Sequence, residues 1–339
     1  MTAATQLKNR QIRLAARPVG LPTRADWTFT EEPVGEPEAG GVLVKTLVLS
    51  LDPAMRGWMR DVRSYLPPVS LGEVMRAGAI GRVTASAHPG FAVGDWVSGF
   101  FGVQEYAVSD GRGVRRVDPD VAPLPRYLGA LGGTGLTAYF GLFDVGRAQP
   151  GDTVLVSAAA GAVGSIAGQL ARIHGCRVIG IAGGPDKCRR LVEELRFDAA
   201  IDYKTQDVAA ELRRLAPAGV DVYFDNVGGE ILDAALTRLA RGARIVICGA
   251  ISQYNAERVR GPANYLMLLV ARASMTGMLV LDYADRFPEA IGALAGWLHA
   301  GDLLAREEVV HDTVEDFVPV LLRLFTGANT GKLVLALDR

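Results

Sequence analysis

The chain has 339 residues, of which 49% are hydrophobic and 22% charged. That is enough apolar surface to fill two domains of ordinary size, and it excludes a chain that stays disordered. With 36 basic and 37 acidic residues the net charge is -1, so no cationic excess points to nucleic acid or an anionic membrane as a partner.

Read in chain order, the stretch from Met1 to Gly20 has no apolar core of leader length, and no run of 18 apolar residues follows; Asn264 to Val270 is apolar but short. The expectation is a cytoplasmic protein. Val42 to Leu49, Ala79 to Ala85, Trp96 to Phe101 and Gln104 to Val108 read as short strands among closely spaced glycines, which predicts a barrel or sandwich. Glu31 to Pro37 reads as a proline-rich surface loop.

Beyond Tyr127 the texture changes. Strands are expected at Thr153 to Ser157, Arg177 to Ile181, Ala200 to Asp202, Asp221 to Asp225 and Ala243 to Cys248. Helices are expected at Ser165 to His174, Asp186 to Leu195, Gln206 to Leu215 and Gly229 to Leu239. This βα alternation predicts an α/β, doubly wound parallel sheet covered on both faces. The tail offers a helix over Phe287 to Ala300, an extended Glu307 to Val310, a helix over Phe317 to Phe325 and a strand over Lys332 to Leu337. That last strand is expected to pair with the N-terminal domain. The predicted organisation is therefore 1–128 for the β domain, 129–300 for the nucleotide domain and 301–339 for the return.

The three cysteines, Cys176, Cys188 and Cys248, and the four histidines, His88, His174, His299 and His311, are too few and too scattered for a disulfide framework or a clustered zinc motif. No metal is expected.

The chemical signal lies after the first strand of the α/β part. Thr153 to Ser157 runs into Ala158-Ala159-Ala160-Gly161-Ala162-Val163-Gly164, and a helix opens at once. Set against G-x-G-x-x-G, the first glycine is replaced by Ala159 while Gly161 and Gly164 remain. Gly161 lets backbone approach a pyrophosphate, Gly164 lets the helix pack closely, and the helix N-terminus offers free N–H groups to phosphate. Ala160, Gly161, Ala162 and Val163 are thus the candidate diphosphate residues; a plain βα turn is the alternative.

An NAD site usually ends its second strand on an acid that accepts from the ribose 2′-hydroxyl. Here that strand runs into Ile181-Ala182-Gly183-Gly184-Pro185 without one, Asp186 reads as a helix N-cap, and Lys187 and Lys204 could meet a 2′-phosphate. The expected cofactor is NADPH. At the ends of the later strands, Asn226, Gly228 and Cys248 should face it. Cys248 reads as a wall residue, with no histidine near it in sequence to make it a nucleophile.

Taken together, Asn9-Arg10-Gln11, Leu51 to Arg56, Gly135 to Tyr139, Ala158 to Gly164, Asp202-Tyr203-Lys204, Tyr223 to Gly229 and Cys248 to Asn255 resemble the zinc-independent branch of the medium-chain dehydrogenase/reductase superfamily. Within it they resemble the leukotriene B4 dehydrogenase/prostaglandin reductase group, with its alkenal and curcumin reductases. The resemblance implies a GroES-like β-barrel domain plus a Rossmann domain, an active site in the cleft between them, and NADPH-dependent reduction of the C=C bond of an enone or enal. It implies cofactor contacts at Thr137, Gly183, Lys187, Tyr203, Ala250, Ser252 and Asn329, and a homodimer. Tyr254 would lie near the nicotinamide ribose and donate to the substrate carbonyl, or simply close the site. Met55, Arg56, Tyr65 and Tyr139 could line the substrate, although Arg56 could equally pin backbone and Tyr139 pack a helix. Many relatives carry an aromatic residue at the position of Ala54, which leaves substrate size open. A quinone reductase and a non-enzymatic dinucleotide-binding protein remain the competing readings.

Overall fold

The computed structural model describes residues 7–337; the first six residues of the stretch read for a leader lie outside them. The chain divides into two compact units, one formed by Met1–Leu128, Glu307–Ala328 and Leu333–Arg339, the other by Gly129–Arg306 and Asn329–Lys332.

The first unit is antiparallel. Its strands are β1 (Lys8–Leu14), β2 (Trp27–Pro33), β3 (Val42–Ser50), β4 (Gly78–Ser86), β5 (Trp96–Phe100), β6 (Tyr106–Ser109) and β7 (Arg115–Arg116), with a short helix α1 (Met55–Trp58) after β3. β1 and β2 form a ribbon that the sequence hid, and it corrects the reading of Glu31 to Pro37 as loop as far as Pro33. Glu31 lies opposite Arg10 and Glu32 opposite Asn9. Glu31 also pairs with Lys8, and Arg13 donates to Glu32 at 2.9 Å. One face of such a ribbon stays in water, so its charges masked the period-2 signal.

The second unit opens with α2 (Gly133–Phe140) and alternates from there: β8 (Thr153–Val156), α3 (Ala162–Ile173), β9 (Arg177–Ala182), α4 (Pro185–Glu193), β10 (Ala199–Asp202), α5 (Val208–Leu215), β11 (Val220–Asp225), α6 (Gly229–Leu236), β12 (Leu239–Ile247), α7 (Met267–Ala271), β13 (Ser274–Gly277) and α8 (Phe287–Ala300). The strands lie in the order β10-β9-β8-β11-β12-β13 and every pairing is parallel. This is a doubly wound sheet whose order reverses between β8 and β11, and ligands bind beyond the carboxyl ends of strands at such a reversal. Val154, Leu155, Val156, Val178, Ile179 and Ile181 are all inaccessible, as burial on both faces demands.

The chain then returns to the first unit with β14 (Glu307–Asp312), α9 (Phe317–Thr326) and β15 (Lys332–Leu337). β15 pairs antiparallel with β3, Leu335 opposite Leu49, in a sheet ordered β14-β15-β3-β4-β5-β7. Phe317, Leu321 and Leu324 of α9 join Ile12, Leu14, Trp27 and Leu49 in one core, where Trp27 and Phe317 meet edge to face at 5.6 Å.

Candidate active site

The turn after β8 is built by backbone. Ala158 takes φ +48°, Ala159 donates to the Ile181 carbonyl at 3.0 Å, and Gly161 to that of Ala158 at 2.9 Å. Gly161 then caps α3 with extended backbone; no side chain covers the helix start and no acid stands in its first turn. The amides of Ala162 and Val163 therefore belong to an uncapped, positively polarised helix end. The fit of Gly164 is to the turn itself. A Cβ there would lie 2.4 Å from the Ala158 oxygen, whereas the close approach of α3 to a neighbouring side chain falls at Gly168, 2.0 Å from the Phe197 ring. Ala159 is tolerated where the fingerprint has glycine because β9 carries Gly180 opposite it, where a Cβ would lie 2.9 Å from the Ala159 methyl.

A late segment closes on this turn. Gly331 donates to the Ala160 carbonyl at 3.0 Å and forms a parallel bridge with Gly161. Asn329, two residues earlier, accepts at its carbonyl from Lys187 Nζ at 2.6 Å. Residues 142 positions apart in the chain are thereby held together beside the glycine turn.

The turn after β9 carries the rest of this side. Gly184 (φ +96°) is the N-cap of α4 and Pro185 its first residue. Asp186 is therefore not the cap expected of it; it sits in the first turn and accepts from Arg189 at 2.6 Å. Gly183 is small because Tyr203 and Lys204 lie over it, with the Tyr203 ring 2.9 Å from where its Cβ would be. Tyr203 is half exposed. The acid missing from the end of β9 stands one strand over: Asp202 of β10 is the register partner of Ala182. Its carboxylate accepts from the Gly184 amide at 2.8 Å, the Lys204 amide at 3.1 Å and the Thr205 hydroxyl at 3.1 Å. The Gly184 N–H foremost, and that of Lys204, hold this carboxyl below the usual carboxylate range.

Beyond β11 and β12 a buried network fixes the chain. Asp225 is 1% exposed and accepts from Tyr223 Oη at 2.7 Å, Ser157 Oγ at 2.9 Å and the Val227 and Gly228 amides. Four donors replace the water such a carboxylate has lost. Its main-chain oxygen accepts from the amides of Cys248 and Gly249. Asn226 donates through its side chain to the Ser157 carbonyl at 2.7 Å. Ser252 Oγ donates to the Val227 carbonyl at 2.6 Å, and the amide of Ala250 donates to Tyr254 Oη at 3.2 Å. Desolvation, with the Asp225 charge adding to it, pushes the Cys248 thiol up to about 12, which suits a wall residue and not a nucleophile.

The remaining candidates lie on other elements. Thr137 in α2 donates to the Gly133 carbonyl at 2.7 Å. Tyr139 donates to Glu289 at 3.0 Å and packs edge to face on Phe140 and Phe143, the helix-packing alternative the sequence left open. In the first unit Met55, a candidate for the substrate side, is fully buried in the core. Arg56 is 1% exposed, and its guanidinium donates to the carbonyls of Pro18 at 2.8 Å and Gly20 at 2.9 Å; it pins the backbone and is not displayed to a ligand. Tyr65 is half exposed and accepts from Trp58 Nε1 at 3.2 Å.

Sequence reasoning missed Asp202 and Asp225 as organisers of the site. Both lay inside quoted landmarks, but only the backbone amides around them reveal the work.

Residues 10–117 match the family described as the N-terminal domain of oxidoreductase, and residues 162–296 that described as zinc-binding dehydrogenase. The NADPH-dependent curcumin reductase of Escherichia coli (strain K12) is 40% identical over 97% of this chain and 96% of its own length. The 2-alkenal reductase (NADP(+)-dependent) of Nicotiana tabacum is 37% identical over 99% of each. The chain belongs to the medium-chain dehydrogenase/reductase superfamily, in its curcumin and alkenal reductase group. Among solved structures, CurA from Vibrio vulnificus superimposes with a TM-score of 0.92 at 42% identity, covering 98% of this chain and 99% of that one, and CurA has also been solved in complex with NADPH.

The zinc of the second family's description does not fit here. Among the described residues no three His, Cys, Asp or Glu side chains come together as a ligand set. His88 accepts from the Gly90 amide through Nδ1, and His174 packs on Phe143.

Proposed function

We propose that this chain reduces the C=C bond of α,β-unsaturated ketones and aldehydes with NADPH. The observation that carries the reading is the meeting of Gly161, Lys187 and Asn329 at an uncapped helix start, next to a second strand that ends on Ala182 without an acid. The donor set fits a dinucleotide: polarised amides for a diphosphate, then a lysine and a tyrosine over glycine for a phosphorylated ribose. The 40% and 37% identities to a curcumin reductase and an alkenal reductase support the acceptor class.

When bound, NADPH supplies the hydride that the β-carbon takes up. The amides of Ala162 and Val163, with Ala160 and Gly161 beneath, hold the diphosphate. Lys187 and Tyr203 would receive the 2′-phosphate, with the Asn329 carbonyl holding Lys187 in place. Asn226, Cys248, Ala250 and Ser252, fixed through Asp225 and Ser157, form the wall toward the ring, with Thr137 on α2. The Tyr254 hydroxyl accepts from the Ala250 amide, which polarises it as a donor toward the substrate oxygen where negative charge gathers. A proton reaching the α-carbon completes the saturated product.

The test is NADPH consumption with a panel of enones, enals and quinones, with the products identified. A saturated carbonyl product is expected. An allylic alcohol, a hydroquinone alone, or tight NADPH binding without oxidation would each replace this reading with a different one.

The chain is read as a cytoplasmic homodimer. No helix among the described residues is long and apolar enough to cross a membrane. β13 is the last strand of its sheet and mostly exposed, and Tyr265, Leu266, Leu269 and Val270 beside it are 57–77% exposed. An apolar patch next to an unpaired sheet edge suits a second copy related by a twofold axis. Light scattering should return twice the chain's mass, and Leu269→Lys should return the chain's own.

A further inference from the structure

An acid at the end of the second Rossmann strand accepts from a ribose 2′-hydroxyl and repels a 2′-phosphate. In this chain the nearest acid is displaced by one strand but not by one level: Asp202 stands level with Ala182, the residue that closes β9. Its charge is near enough to oppose a phosphate unless something consumes it. The structure shows what does. One carboxylate oxygen takes the amides of Gly184 and Lys204, the other the hydroxyl of Thr205, and the residue is 8% exposed. Its own amide is held by Gln206 Oε1 at 2.7 Å, which fixes the backbone from which the side chain springs.

The partners matter as much as the charge. Gly184 is the left-handed N-cap from which α4 starts, and Lys187 lies in the first turn of that helix. Lys204 follows Tyr203, whose ring lies over Gly183. One carboxylate thus ties the turn that carries Lys187 to the turn that carries Tyr203 and Lys204, across neighbouring strands.

We propose that Asp202 is a positioning residue that sets the preference for a 2′-phosphorylated nucleotide, latching the turns after β9 and β10 at phosphate-wide spacing while its own charge is spent on their amides. This rests on the NADPH reading above and extends it from the residues that would touch the phosphate to one that touches only their backbone.

The test uses the full chain with two small probes, 2′,5′-ADP and 5′-AMP, in calorimetric titrations that need no turnover. Wild-type protein is expected to bind 2′,5′-ADP more tightly. In Asp202→Ala the affinity for 2′,5′-ADP should fall about tenfold, the loss of charge-assisted hydrogen bonds, while that for 5′-AMP moves less than about twofold. Asp202→Asn, which keeps an oxygen for the Gly184 amide, should recover part of the loss. Should Asp202→Ala not fold, Thr205→Val removes one partner of the same carboxylate and should lower the same ratio by less. A parallel fall for both nucleotides makes Asp202 merely structural and overturns the proposal. So does tighter 2′,5′-ADP binding in Asp202→Asn, the result if the charge faced the phosphate. Either result leaves the NADPH reading standing if wild-type protein still discriminates. Wild-type protein that binds both probes alike overturns both.

Discussion

The ammonium of Lys187 lies 2.6 Å from the Asn329 carbonyl oxygen, on the far side of the sequence from its own helix. The carbonyl fixes the direction of the ammonium, which is what a phosphate subsite asks of a lysine. Lys187→Ala should raise the dissociation constant for NADPH about tenfold or more and leave that for NADH within about twofold, read by nicotinamide fluorescence titration; equal losses would make Lys187 a general support of α4. Tyr254→Phe tests the other end. It should cut kcat at least about tenfold with the NADPH dissociation constant unchanged, because a donor aimed at developing charge acts on the barrier. Unchanged turnover would reduce Tyr254 to a wall. At this scale the sequence was legible wherever placement rests on residue type: Gly161 opens α3 and Lys187 stands in the first turn of α4, as their surroundings in the sequence suggest. It was opaque wherever a residue works through backbone. The Ala159 substitution looks like a weakened fingerprint until Gly180 is found opposite it, and Arg56 looks displayed until its carbonyl partners are seen.

Helix α3 shows how an element depends on one hydrogen atom. A methyl at Gly164 would press on the Ala158 oxygen at 2.4 Å and on the Ala159 Cα at 3.0 Å. These are backbone atoms of a turn whose Ala158 already holds φ +48°, so they cannot swing aside as a side-chain tip would. Gly164→Ala should therefore destabilise the fold by about 1–3 kcal/mol, and should also weaken NADPH, since lifting α3 moves the Ala162 and Val163 amides. Urea unfolding and cofactor titration measure the two effects. Loss of stability with full cofactor affinity would detach the turn from the cofactor. Strands β8 to β12 and helices α3 to α6 of the second unit were readable because their apolar runs are short and punctuated by turn residues, whereas α7 and β13 were not read as elements. α2 was not, since Gly133 and Gly135 argue against helix from composition. Yet Gly135 is required there, because a Cβ would lie 1.9 Å from the Ala130 oxygen. The β1–β2 ribbon was hidden for the opposite reason, a strand pair whose exposed positions include Lys8, Glu31 and Glu32.

Stability of the whole molecule couples to the second unit's thiols. Desolvation, with the Asp152 charge adding to it, pushes Cys176 up to about 11, and desolvation beside Asp225 pushes Cys248 up to about 12. An unfolded thiol titrates near 8.5. Between about pH 8.5 and 10 the unfolded chain has released protons that the folded chain still holds. The unfolded state then binds fewer protons, so the unfolding free energy falls as pH rises. The buried phenol of Tyr223 is raised too, foremost by desolvation, but its unfolded counterpart titrates near 10, so the lower part of this window belongs to the sulfurs, Cys188 among them, since desolvation raises its thiol as well. Urea midpoints measured at intervals from pH 7.5 to about 10 should fall for the wild-type chain, and the slope should flatten when Cys176→Ala and Cys248→Ala are combined. The two substitutions should act additively, since Cys176 donates to the Gln149 carbonyl near the start of β8 while Cys248 follows the end of β12, and no partner is shared between them. An unchanged slope in the double variant would mean that the alkaline loss comes from elsewhere in the chain, and that both thiols ionise in the folded protein as readily as they do in water.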